Sequence, residues 1–196
     1  MNKQIILNGD FFLIDSNKQG AKIVKFFQTA PTVYQHLWRK IRGAQETVLY
    51  YHVGQFIEVD EKIRIIEQQG TVMLRDEGHT DKVLNTSDRL CIIRKKNLTD
   101  EQRNKLKEIA LNDIGEGYDW LSCIGKFLTW LTGIILFARY VQLPQKEICI
   151  NRVAYWLRET TGETFGAKTH SELTTHTMYK YIKRHPELFE GVPNEN

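Results

Sequence analysis

Apolar and polar positions divide this chain into a strand-rich first part and a helix-rich second part. NGDFFLID gives a turn followed by a short predicted strand over Phe11 to Asp15. Thr47 to Glu58, TVLYYHVGQFIE, is dense in β-branched and aromatic residues and predicts a second strand. A tight VDEK turn leads into IRIIE, and TVML follows Gly70. Arg89 to Lys95, RLCIIRK, predicts a further strand. Two short helices are expected between the first strands. One covers Ala21 to Gln28, and the other lies behind Pro31 with Val33, Leu37, Trp38 and Ile41 at helical spacing.

Beyond Lys95 the period changes. Thr99 and Gln102 have capping-box spacing, and Leu106, Ile109 and Ala110 form an apolar stripe that ends near Gly115. An apolar stretch from Asp119 to Val141 follows and is broken by Pro144. A helix is expected from about Glu147, since Ile150, Val153, Ala154 and Leu157 fall on one face. Ser171 to Phe189 reads as helical until Pro186, with frayed residues after it. Strands first and helices later point to an α+β fold.

The 196 residues suit a single domain, 1–196, with a full core. A net charge of +3, with no run of Lys and Arg, gives nucleic-acid binding little electrostatic support. Cys91, Cys123 and Cys149 are odd in number and far apart, which argues against both a disulfide framework and a zinc cluster. Free thiols suit a reducing compartment, and the start of the chain lacks an apolar signal region, so a cytoplasmic protein is expected. Phe127 to Ala138 is apolar over about 12 residues, short of the roughly 18 to 20 that a spanning helix needs. It reads as a buried helix, with contact to a lipid, an acyl group or a membrane as the alternatives.

His52 opens a stretch that otherwise reads as strand, and it needs partners to be more than a satisfied histidine. If Asp60 and Glu61 make the turn, paired residue numbers sum to 121, and Glu67 lies opposite Gly54. Glu67 is then one diagonal step from His52 on the same face, roughly 7 to 8 Å at Cα, within reach of long side chains. Glu58 shares the parity of His52 but sits about 20 Å along the strand. Cys149 stands at the front of the late amphipathic helix, where the helix dipole favours a thiolate and the first-turn N–H groups can stabilise an oxyanion. Cys91 and Cys123 read as core residues. His170 and His176 are six apart, unsuited to a metal pair on a helix, and His36, His79 and His185 show no partners.

The ordered set NGDFFLID, HVGQFIE, RIIEQQG and ICINRVAYW resembles the circularly permuted branch of the papain-like NlpC superfamily. The YiiX/YebB-like amidases belong to that branch, and lecithin-retinol acyltransferase-like proteins are relatives. The resemblance covers about residues 8 to 160, with 161–196 as a C-terminal helical extension. It implies a permuted papain-like fold, with a small antiparallel sheet or barrel packed against helices. It also implies a Cys149–His52–Glu67 triad with the cysteine at a helix N-terminus. Two positions depart from the family pattern. Ile150 and Asn151 follow the cysteine where Ser-Glu is common, and Tyr51 precedes the histidine where Ser is common.

The implied chemistry is cleavage of an amide or ester through a thioester, with no metal or other cofactor. The expected substrate is a small amide or ester, a peptide or a lipid-like molecule. Asp10, Tyr118 and Tyr51 are candidate substrate-binding residues. The alternatives are a catalytically inactive papain-like binding module and a small membrane-associated structural protein.

Overall fold

The computed structural model describes residues 6–15, 50–86, 88–119, 121, 124, 125, 127, 128, 132, 140, 148–168 and 173–192. The helices expected over Ala21 to Gln28 and behind Pro31 lie outside the described residues. So do Thr47 to Leu49, Cys123, His36, His170, Pro144 and most of Phe127 to Ala138.

The fold is α+β: six antiparallel strands in one sheet, with four helices among the described residues. The strands are β1 (Phe11–Asp15), β2 (His52–Val59), β3 (Lys62–Gln69), β4 (Thr71–Leu74), β5 (Arg89–Lys95) and β6 (Phe189–Val192). The helices are α1 (Glu77–Leu84), α2 (Asp100–Asn112), α3 (Cys149–Thr161) and α4 (Thr175–Arg184). The sheet order is β4-β3-β2-β1-β5-β6.

The β2–β3 hairpin has the register expected from its turn. Val59 pairs with Lys62 and Gly54 with Glu67. Asp60 and Glu61 both take positive φ, 52° and 61°, the conformation of a two-residue loop that matches strand twist. At Thr99 the full capping box forms: its side chain accepts from Gln102 N, and the Gln102 side chain accepts from Thr99 N.

Alternation gives the sheet two apolar faces. Phe11, Leu13, Val53, Ile57, Ile66 and Ile93 join the buried side of α3, including Ile150, Val153, Trp156 and Leu157. Phe12, Ile14, Phe56, Ile65 and Ile92 pack with Val83 and Leu84 of α1. The end of α2 is tied to α3 through Asp113 Oδ2, which accepts from Arg152 Nη1 at 2.9 Å and from Trp156 Nε1 at 2.8 Å.

One local expectation is corrected. Residues 189–192, expected to fray, form β6 and pair with β5, so the segment beyond residue 160 is part of the sheet as well as helical. Burial explains it: Phe189 is in the core, its ring stacked on Phe165 at 5.6 Å and edge-on to Phe11 at 6.4 Å. In addition, α1 has only a short apolar signal in Val83 and Leu84. It is started by Asp76, whose side chain accepts from His79 N at 2.7 Å.

Gly54 is required by a close approach. A Cβ there would meet the Phe12 ring at 2.6 Å and Glu67 Cβ at 3.1 Å. The Phe12 ring occupies that space and stands edge-on to the His52 imidazole, with centroids 6.2 Å apart. Gly54→Ala is therefore expected to lower unfolding stability by about 1–3 kcal/mol through overpacking, read from urea denaturation of the two proteins.

Candidate active site

His52 is the first residue of β2, and Glu67 is near the end of β3, so the hairpin itself sets their separation. Gly54, directly opposite Glu67, has no side chain to block the diagonal. His52 Nε2 lies 2.7 Å from Glu67 Oε2, with both side chains nearly fully buried. The other carboxylate oxygen is also engaged. Arg75 Nε donates to Glu67 Oε1 at 2.8 Å, and His79 Nε2 lies 3.2 Å from the same atom. The His79 approach is not aligned as a hydrogen bond.

Cys149, only 2% exposed, is the first residue of α3 and is in hydrogen-bonding contact with the His52 side chain. The cap of α3 is Ile148, which makes no side-chain cap hydrogen bond to the first turn. A sulfur, an imidazole and a carboxylate from α3, β2 and β3 are thus neighbours.

The electrostatics follow from that contact. Burial favours a neutral imidazole, but hydrogen bonds and charge from Cys149 and Glu67 prevail and carry the His52 pKa from 6.5 up to about 10. Burial likewise opposes the Glu67 carboxylate, yet His52 and Arg75 bring its pKa down from 4.5 to about 2.

The remaining candidates separate cleanly. The Tyr51 ring is 6.0 Å from the His52 ring. Burial first, and then the negative charge of Asp88, Glu67 and Cys149, raises its hydroxyl pKa, so Tyr51 borders the site. Asp10 does not reach His52. Its carboxylate pairs with Arg94 through Nε at 2.9 Å and Nη2 at 2.8 Å, and accepts from Leu7 N at 2.9 Å. It closes the turn before β1, four positions from Ile14, the partner of His52. Tyr118 is buried in the same core as Cys149, and its N–H donates to Gly70 O at 2.7 Å. Cys91 is half-buried against the core beside Tyr50, and burial pushes its thiol pKa up.

Two histidines expected to lack partners have them. His79 approaches Glu67, and His185 Nδ1 lies 2.8 Å from Glu187 Oε1. Arg75 and His79 do not stand out in the sequence, because the helix over Glu77 to Leu84 that delivers them carries little apolar pattern. The signal was present in the N-cap Asp76 and the apolar pair Val83 and Leu84.

No protein-family model matches the chain, and no curated protein matches it. Among solved structures it is similar to the crystal structure of the metalloprotein YiiX from Escherichia coli O157:H7. The TM-score is 0.53 at 16% identity, over 94% of this chain and 87% of that one. The chain has a YiiX-like fold. No group of three or more His, Cys, Asp or Glu side chains suited to a metal occurs among the described residues. The one buried carboxylate of the cluster, Glu67, already carries the Arg75 cation at 2.8 Å, a poor setting for a second cation.

Both pKa shifts predict a pH profile for stability. The Glu67 contribution is complete above about pH 4.5 and is lost as pH falls toward about 2. The His52 contribution is complete below about pH 6.5 and is lost as pH rises through about 10. Stability should peak between the two limbs, and Glu67→Gln should lower the peak and flatten the acid limb. Chemical denaturation across the pH range checks this.

Proposed function

We propose that this protein is a thiol-dependent hydrolase or acyltransferase of the permuted papain-like type, acting on an amide or ester. The observation that carries this reading is the Cys149 thiol in hydrogen-bonding contact with a His52 ring whose Nε2 is held 2.7 Å from Glu67. The similarity in fold to YiiX supports it.

In this mechanism His52 takes the thiol proton, and the sulfur attacks the substrate carbonyl carbon. The oxyanion forms beside the first turn of α3, where N–H groups and the helix dipole favour negative charge. Collapse expels the amine or alcohol, which takes its proton from His52, and leaves a Cys149 thioester. Water or a second acceptor, deprotonated by His52, attacks the thioester and releases Cys149. Glu67 is a positioning residue: it holds the ring and balances its charge. Tyr51 is placed to contact a bound substrate. The unbridged Cys91 and Cys149 suit a reducing compartment and support a cytoplasmic setting. No helix among the described residues is long and apolar enough to cross a membrane. The apolar residues between Trp120 and Val141 favour a lipid-like acyl chain over a polar peptide as the substrate.

The burial of Cys149 favours a second reading, a papain-like module that binds without turnover. Site-resolved alkylation with a small haloacetamide separates the two. In the enzyme, Cys149 labels faster than Cys91 and Cys123, and His52→Ala slows it by roughly 10²- to 10⁴-fold. Glu67→Gln slows it less. Equal, slow labelling of all three cysteines, with no response to His52→Ala, would overturn the enzyme.

A further inference from the structure

Glu67 is buried with both carboxylate oxygens committed, and the groups on Oε1 come from one short segment. Arg75 precedes α1 and His79 is in its first turn, on either side of the cap residue Asp76. That segment is anchored to β3 beside Glu67 at two points. Arg75 N donates to Ile65 O at 2.8 Å, and Ile65 N donates to Thr80 Oγ1 at 3.2 Å. The planar guanidinium is therefore fixed through its backbone before its side chain touches the carboxylate. With Oε1 occupied by Arg75 and His79, only Oε2 faces His52.

We propose that Arg75, assisted by His79, is a positioning device for Glu67: it holds the carboxylate charged and turned so that Oε2 meets His52 Nε2. This inference rests on the thiol-enzyme reading. It assigns the control of that site's base to the start of α1, which no part of the triad pattern requires.

The charged and titratable groups around the device come from four places. Glu67 faces His52 of β2, Arg75 ahead of α1 and His79 of α1. His52 also faces Cys149 of α3, and Tyr51 borders His52. Arg75 is the permanent cation among them. Removing it takes a charge and a donor from Glu67, so the carboxylate accepts a proton at higher pH. A protonated Glu67 no longer supports the imidazolium, and the thiol loses its reactive form.

The test is the pH profile of Cys149 alkylation by a haloacetamide in the full chain, with Arg75→Gln, Arg75→Lys, His79→Gln and His52→Ala in parallel. Arg75→Gln should move the acid limb up by roughly one to three pH units, the effect of losing an opposite charge at this distance. Arg75→Lys, which keeps the cation, should restore most of that shift. His79→Gln should slow alkylation with the melting temperature preserved. A folded Arg75→Gln protein with an unmoved acid limb overturns the inference, even if its melting temperature falls. If Arg75→Gln does not fold, Arg75→Met, which keeps the apolar stem and removes the cation, is read in its place, and an unmoved acid limb there overturns the inference. His52→Ala separates the two levels. An unchanged Cys149 rate in that variant sinks the enzyme itself. A slowed rate there, with no response to Arg75→Gln, sinks only the positioning role.

Discussion

A buried carboxylate is costly unless it is charged, paired and fully hydrogen-bonded, and Glu67, near the end of β3, meets that condition. Its two oxygens face in different directions, one to the His52 imidazole and one to Arg75 and His79. Loss of either side would leave an uncompensated charge or an unheld ring in the interior. The constraint reaches well beyond the pair. It demands a hairpin in fixed register, an empty position at Gly54 and a helix started close enough to deliver Arg75.

The rest of the fold meets these demands with apolar packing. Phe12 fills the space over Gly54 and presses on the imidazole. The α1 residues Val83 and Leu84 seal the same face of the sheet. On the other face α3 is clamped through Arg152 and Trp156 to Asp113 at the end of α2. That clamp fixes where the first residue of α3 stands, and so where the Cys149 sulfur stands. It also gives a structural account of two of the residues that follow the cysteine. Ile150 is fully buried against the core, and Arg152 is spent on Asp113.

Much of this was legible along the chain. The turn at Asp60 and Glu61 gave the pairing of Gly54 with Glu67, and from it the diagonal contact with His52. The capping pair Thr99 and Gln102 marked the start of α2, and the stripe from Ile150 to Leu157 marked α3. Features with weak local signals were not legible. The helix α1 is eight residues long with a single apolar pair, and β6 depends on burying Phe189 against Phe11 and Phe165. His79 and Arg75 were hidden for the same reason, since their role needs α1 docked on β3. Asp10 looked like a site residue because its motif stands next to a strand. Its side chain instead neutralises Arg94, from a strand that is far away in sequence.

Whatever depends on spacing can be read along the chain: strand parity, the hairpin register, the helix caps and the residue types able to do thiol chemistry. These are short-range properties, fixed by backbone geometry over a few residues. Which of those residues share a charge is fixed by the folded arrangement alone. The meeting of Cys149 with His52, and of Arg75 with Glu67, depends on how helices dock on the two faces of the sheet. That docking is set by the summed burial of many apolar side chains, which no local pattern encodes.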